Sequence, residues 1–223
     1  MNRLKYLLGE SWFEILSPFF KTKQWKKICD FIIEERKKYN IIPEKGNNIM
    51  FKAFSLVAYD YVKIVIIGQD PYPTPGAFDG IPFSNSLQNV VQPSLKTILR
   101  EINRDVYNNN TSKFADDKNL LRWTKQGILL LNTAHTVRAY NPGTHLEIWN
   151  PFTNFVISKL IERKNLIWLL WGAKAQKYEK DITNFSNHII LTAPHPSPRA
   201  SKSFIGCSHF SKVNEILENN IEW

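Results

Sequence analysis

The sequence predicts an α/β fold: a single domain with a central, parallel, four-stranded sheet flanked by helices on both faces. Three observations carry the prediction. Four short runs rich in β-branched residues and leucine read as buried strands. Between them, apolar residues recur at helical spacing. No Pro/Gly/Ser-rich linker or internal repeat divides the 223 residues, so one domain is expected over 1–223, with a helical segment of about 1–50 packed on the α/β core.

The elements follow in order. Trp25, Ile28, Cys29 and Ile32 fall at i, i+3, i+4 and i+7 with charged residues between them, which predicts an amphipathic helix. Val62-Lys63-Ile64-Val65-Ile66-Ile67, closed by Gly68, predicts the first strand. Leu95, Ile98, Leu99 and Ile102 predict a helix that Ser94 can cap. Residues 128–131 form a second apolar run, ending at Asn132, and Phe152, Phe155, Val156 and Leu160 predict the next helix. A third strand over 166–170 ends near Gly172, and a helix is expected over 173–180. A fourth strand over 188–191 ends just before Pro194-His195, and a last helix is expected over 211–219.

Composition narrows the function. A charge of +9 and a pI near 9.5 point to a polyanion, nucleic acid or acidic membrane. The plain alternative is a composition biased toward Lys, Ile and Asn. The two cysteines, Cys29 and Cys207, lie far apart, and the five histidines show no metal-ligand spacing. Neither a disulfide framework, a zinc site nor an iron–sulfur cluster is expected. The apolar run holding Trp168 and Trp171 is bracketed by Asn165 and Lys174, too short for a membrane span. The N-terminus lacks the long apolar stretch and cleavage site of a secretion signal. A soluble, intracellular protein is expected.

In parallel sheets ligands bind beyond the carboxyl ends of the strands, and the polar clusters of this chain stand at those ends. After the first strand comes Gln69-Asp70-Pro71-Tyr72-Pro73-Thr74-Pro75-Gly76, a stiff loop that presents a carboxylate and an aromatic ring. The alternative is an Asp-Pro turn leaving a strand. After the second comes Asn132, whose amide can donate and accept at a base edge or simply stabilise a turn. After the third, Trp171-Gly172-Ala173-Lys174 opens a helix whose free amides suit an anion. It lacks the spacing of a nucleotide-triphosphate loop. After the fourth, Pro194-His195-Pro196-Ser197-Pro198-Arg199 presents an imidazole between prolines and a serine suited to phosphate.

These stretches resemble family 1 uracil-DNA glycosylases. The similar segments are VKIVIIGQDPY (62–72), GIPFS (80–84), PSL (93–95), GILLLNT (127–133), TVRA (136–139), LLWGAKAQ (169–176), HPSP (195–198) and GCSHFSKVN (206–214). They occur in family order, with near-family spacing, from about Phe51 to Leu217.

The resemblance implies a repair enzyme that flips uracil out of single- or double-stranded DNA and hydrolyses its N-glycosidic bond without metal or cofactor. It implies that Phe83 stacks on the flipped base and Asn132 hydrogen-bonds its Watson–Crick edge. Tyr72 would fill the space of the thymine methyl, and Gln69 would lend a backbone amide. Asp70 would orient water and stabilise the cationic sugar, and His195 would donate to the uracil oxygen as charge develops there. Ser94, Gly172, Lys174, Ser197 and Arg199 would contact DNA. That division of labour suits an oxocarbenium-like transition state in a dry, preorganised pocket. Two rival readings share the scaffold: a DNA-binding accessory protein with weak catalysis, and a glycosylase of altered base preference.

The chain departs from the family pattern in four places. Pro73 replaces a His, and Ala77-Phe78-Asp79 replaces Gln-Ala-His. Ala173 replaces a Ser, and Arg199 replaces the apolar wedge Leu in a loop about one residue shorter. The expected partners are uracil-containing DNA and a proteinaceous inhibitor whose binding is weakened by Arg199. A monomer without membrane contact is expected, in the cytoplasm, or in the nucleus or a viral factory according to its source.

Overall fold

The computed structural model describes residues 2–109, 118–185 and 187–223. Helices α1 (Asn2–Leu8) and α2 (Glu10–Leu16) precede a 3-10 turn at Phe19–Lys21 and the long helix α3 (Lys23–Lys38). Thr22 caps α3, its hydroxyl accepting the Trp25 N–H at 3.2 Å. A short strand β1 (Ile41–Ile42) and helix α4 (Lys52–Leu56) lead into β2 (Ile64–Gly68). Then follow α5 (Pro93–Asp105), α6 (Leu121–Thr124), β3 (Ile128–Asn132), β4 (Val137–Arg138) and α7 (Leu146–Ile161). The chain closes with β5 (Ile167–Trp171), α8 (Ala173–Gln176), α9 (Glu179–Thr183), β6 (Ile189–Ala193), α10 (Ser201–Phe204) and α11 (His209–Leu217).

The main sheet is parallel throughout, in the order β3-β2-β5-β6. Side chains alternate along a strand. Val65, Ile67, Leu129, Leu131, Trp168 and Leu170 therefore meet one helical layer, which includes Leu8, Trp12, Ile28, Ile32, Phe152 and Val156. Ile64, Ile66, Ile128, Leu130, Ile167 and Leu169 meet the other, which includes Leu95, Ile98, Ile102, Phe210 and Val213. Burial on both faces explains why β2, β3 and β5 read as unbroken apolar runs. Each fully buried Leu or Ile contributes roughly 1.5–3 kcal/mol.

Several expected boundaries change. Ser94 does not cap α5: the cap position is Gln92, and Pro93 takes the first turn, where its fixed φ and missing N–H are harmless. The helix expected over 173–180 is two, broken at Lys177 and Tyr178. The last helix begins at His209. Both β3 and β6 are edge strands, but only β3 is covered throughout; in β6 Ile189 and Thr192 are exposed. A second sheet pairs β1 with β4 antiparallel, Ile41 opposite Arg138 and Ile42 opposite Val137. Its strands are too short to show periodicity in sequence. Among the described residues no helix is long and apolar enough to cross a membrane.

Candidate active site

The carboxyl ends of the parallel strands share one edge, and a cleft of about 620 Å³ opens over it. β2 and β3 end in register at Gly68 and Asn132. A Cβ on Gly68 would lie 2.4 Å from Asn132 Oδ1 and 3.4 Å from the Phe83 ring, so both side chains pack straight onto the end of β2. Of the residues expected from sequence, Gln69, Asp70, Tyr72, Phe83, Ser94, Asn132, His195, Ser197 and Arg199 all line the cleft. Pro73, Phe78, Pro82, Pro142 and Pro198 complete its lining.

The aromatic wall is held rigidly. Phe83 sits at φ 65°, in the left-handed region that a bulky side chain rarely adopts. Its carbonyl accepts the Tyr72 hydroxyl at 2.8 Å. Burial pushes the Tyr72 phenol pKa up, which keeps it a donor. On the other side, the Asp79 carboxylate, 2% exposed, accepts four hydrogen bonds from the same loop. They come from Ile81 N–H at 3.1 Å, Ser84 Oγ at 2.6 Å, Ser86 N–H at 2.9 Å and Ser86 Oγ at 2.6 Å. The neighbouring Phe78 packs with Ile42 and Val137, anchoring the loop to the β1–β4 sheet.

Two ionisable groups face this wall. Asp70 Oδ2 accepts the Gly143 N–H at 2.5 Å and Oδ1 accepts the Gln69 amide at 3.2 Å. Burial pushes the Asp70 carboxyl pKa up, and these two bonds oppose it. His195 Nδ1 accepts the Ser197 N–H at 3.1 Å, so the proton of the neutral ring sits on Nε2. Burial pushes the His195 pKa down and keeps the ring neutral. The structure thus offers a carboxylate, a neutral imidazole donor and a two-way amide around one aromatic face. Such a set can stabilise a cation on one side of a breaking bond and an anion on the other.

Gly172 stands behind the cleft. It sits at φ 85°, and a Cβ there would lie 2.8 Å from His195 Cβ, so only glycine lets β5 pass so close to the imidazole. Lys174 is exposed on the first turn of α8 and is not brought into the cleft. Sequence reasoning missed Gly143, although Asn141-Pro142-Gly143 is a legible turn signal. It also left Asp79 without a task, because nothing in sequence marks four donors converging on one carboxylate.

Comparison with known proteins places the whole chain beside one family. The family model for the uracil DNA glycosylase superfamily matches residues 54–218. Uracil-DNA glycosylase 1 of Bacteroides fragilis is 40% identical, covering 97% of this chain and 98% of the relative. Uracil-DNA glycosylase of Clostridioides difficile is 40% identical, covering 95% and 92%. The crystal structure of mimivirus uracil-DNA glycosylase superposes with a TM-score of 0.89 at 27% identity, covering 99% of this chain and 88% of that one. A substituted form of the mimivirus enzyme in complex with UGI superposes at 0.85, with 26% identity, covering 98% and 90%. A match over most of the length in sequence, and over nearly all of it in structure, meets the cleft at the end of its parallel sheet in one conclusion: the chain belongs to the uracil DNA glycosylase superfamily.

Proposed function

We propose that the protein is a family 1 uracil-DNA glycosylase that excises uracil from DNA. The observation that carries this is the placement of Asp70 and the Nε2–H of His195 in one cleft around the Phe83 and Asn132 floor. A base turned out of the helix stacks on Phe83, and its edge meets the Asn132 amide, which donates to O4 and accepts from N3–H. Tyr72 fills the space a 5-methyl group needs. The C1′–N1 bond breaks with its electron pair leaving on the base. Charge gathers at O2, where His195 donates. The sugar cation forms beside Asp70, water adds at C1′, and the proton it releases passes through the carboxylate to solvent, from which the uracil anion is reprotonated.

Ser94, Ser197 and Arg199 on the rim, with Gly172 and Lys174 at the start of α8, form the DNA-facing group. The overall charge of +9 favours a polyanion there. A protein inhibitor that mimics DNA would cover the same rim, and Arg199 weakens its hold.

Incubation with uracil-containing single-stranded DNA in EDTA, followed by alkaline strand cleavage, tests the reading. Parallel strands carry hypoxanthine or a thymine mismatch, and cleavage at uracil alone is expected. Asp70→Asn and His195→Ala should each lower the single-turnover rate by on the order of 10² or more, with DNA binding little changed. Near-native rates in both variants overturn the assignment.

A further inference from the structure

The loop between β4 and α7 carries Gly143, the backbone amide that holds Asp70. Both ends of that loop are fastened to one carboxylate outside the cleft, Glu35 of α3. At the entry, Arg138 donates Nε to Glu35 Oε2 at 2.5 Å and Nη2 to Oε1 at 2.8 Å. At the exit, His145 Nε2 lies 3.1 Å from Glu35 Oε2. The ionised Glu35 carboxylate can only accept, which places the proton of the neutral ring on Nε2. Nδ1 is then the acceptor for the Thr136 hydroxyl at 2.8 Å, and that hydroxyl accepts the Trp149 indole N–H at 2.7 Å. Burial pushes the His145 pKa down, so the ring is neutral, and the Arg138 bond holds Glu35 below the usual carboxylate range.

Between these ends the loop is cross-braced. The Arg138 N–H donates to Thr144 Oγ1 at 3.1 Å, the Asn141 N–H to the Arg138 carbonyl at 3.1 Å, and the Tyr140 N–H to the Pro73 carbonyl at 2.8 Å. With entry and exit fixed, little freedom is left at Gly143, which sits at φ 85°. Glu35 is 8% exposed, and a buried ion pair is weak evidence of a stability role. Its two partners bracket the loop that donates to Asp70.

We infer that Glu35 is a positioning residue for the reaction: it sets the Gly143 amide and, through it, the orientation and ionisation of Asp70. The inference rests on the reading of Asp70 as the catalytic carboxylate. The groups facing Glu35 are Arg138, itself over the Tyr39 ring at 3.8 Å, and His145, on which the charge of Arg36 also acts while the Arg36 guanidinium donates to the Ile41 and Pro43 carbonyls. Those facing Asp70 are Gln69 and Gly143, with Tyr72, His195 and Arg199 elsewhere on the cleft. Without Glu35 the Gly143 N–H drifts, and Asp70 loses a bond that opposes the effect of burial.

Single-turnover rates of the full chain on uracil-containing DNA, followed across pH, test this. Glu35→Gln keeps the shape and removes the charge. Its rate should fall on the order of 10- to 10²-fold, as misplacement of a reacting group does, with DNA affinity unchanged and the acid limb moved to higher pH. In an Asp70→Asn background the same substitution should add no further loss, because its effect runs through Asp70. Arg138→Lys, which keeps charge but loses the two-pronged grip, should repeat both results and serves if Glu35→Gln does not fold. An additive loss in the Asp70→Asn background, or an unmoved rate and pH profile, overturns the inference. A native protein inert on uracil-containing DNA would instead remove the reading beneath it.

Discussion

The Tyr72 hydroxyl donates to the carbonyl of Phe83, eleven residues along the chain, at 2.8 Å. The side wall of the pocket and the ring at its face are therefore one mechanical unit. Tyr72→Phe keeps the wall and cuts the tether, so uracil binding should weaken by about 0.5–1.5 kcal/mol, the net worth of one hydrogen bond. Tyr72→Ala removes the wall and should release thymine from thymine-containing DNA. Shape alone discriminates by roughly 10–200-fold per methyl-sized group. Continued exclusion of thymine by Tyr72→Ala removes Tyr72 from the specificity role.

Asp70 links rate to pH. In the proposed reaction its carboxyl must be ionised to stabilise a cation, and burial raises its pKa, so the acid limb of the rate profile should fall above 3.8, the ordinary aspartate value. The same shift has a cost in stability. Folding favours the protonated form, so ionised Asp70 destabilises the native state as pH rises from the unfolded value through the folded one. Asp70→Asn should therefore melt higher than the native protein at neutral pH. That advantage should vanish below pH 3.8. Equal melting temperatures at neutral pH would contradict the assignment.

Asp79 tests the loop around Phe83. Asp79→Ala leaves the buried Ile81 N–H without an acceptor, at about 1–3 kcal/mol for a buried group left unsatisfied, while the Ser84 hydroxyl keeps the Lys118 carbonyl and the exposed Ser86 turns to water. Urea denaturation should show the loss. If the Phe83 loop holds the base as proposed, kinetics should show KM rising more than kcat falls, because Asp70 and His195 stay in place. A variant as stable as the native chain would argue that the carboxylate is solvated when the protein is in solution.

Arg199 is exposed at the edge of the cleft. A guanidinium there can replace a counterion at phosphate, so Arg199→Leu should flatten the salt dependence of DNA binding by about one unit of slope. The same change should tighten binding of a DNA-mimicking inhibitor, because seating an unpaired charge in an apolar cavity costs several kcal/mol and about 1.4 kcal/mol is tenfold in affinity. Stoichiometric inhibition of the unmutated protein at nanomolar inhibitor would overturn the second expectation.

Strands β2, β3 and β5 were legible because both of their faces are covered, which makes their apolar runs continuous. The cleft residues were legible because a parallel sheet puts every strand end on one edge, so local reading of Asp70, Asn132 and His195 sufficed. What stayed hidden was long-range and polar. Glu35 and Arg138 are separated by 103 positions, and no periodicity links them. The Asp79 hub and the Gly143 donor were equally silent, since each depends on where a backbone N–H or hydroxyl happens to turn. The Ser94 cap failed for a simpler reason: Pro93 is the better first residue of a helix.

The tight contact at Gly68 divides the molecule by its tolerance of change. A methyl group there would lie 2.4 Å from Asn132 Oδ1, so any side chain at position 68 must push the Asn132 amide away from the end of β2. Of the chain's departures, Pro73 and Arg199 stand on loops at the cleft and Ala173 is exposed at the start of α8, whereas Ala77, Phe78 and Asp79 are buried. Change at positions 73, 173 and 199 alters the mouth of the cleft and leaves its floor untouched. The Asn132 amide, by contrast, keeps its place only while position 68 carries no side chain.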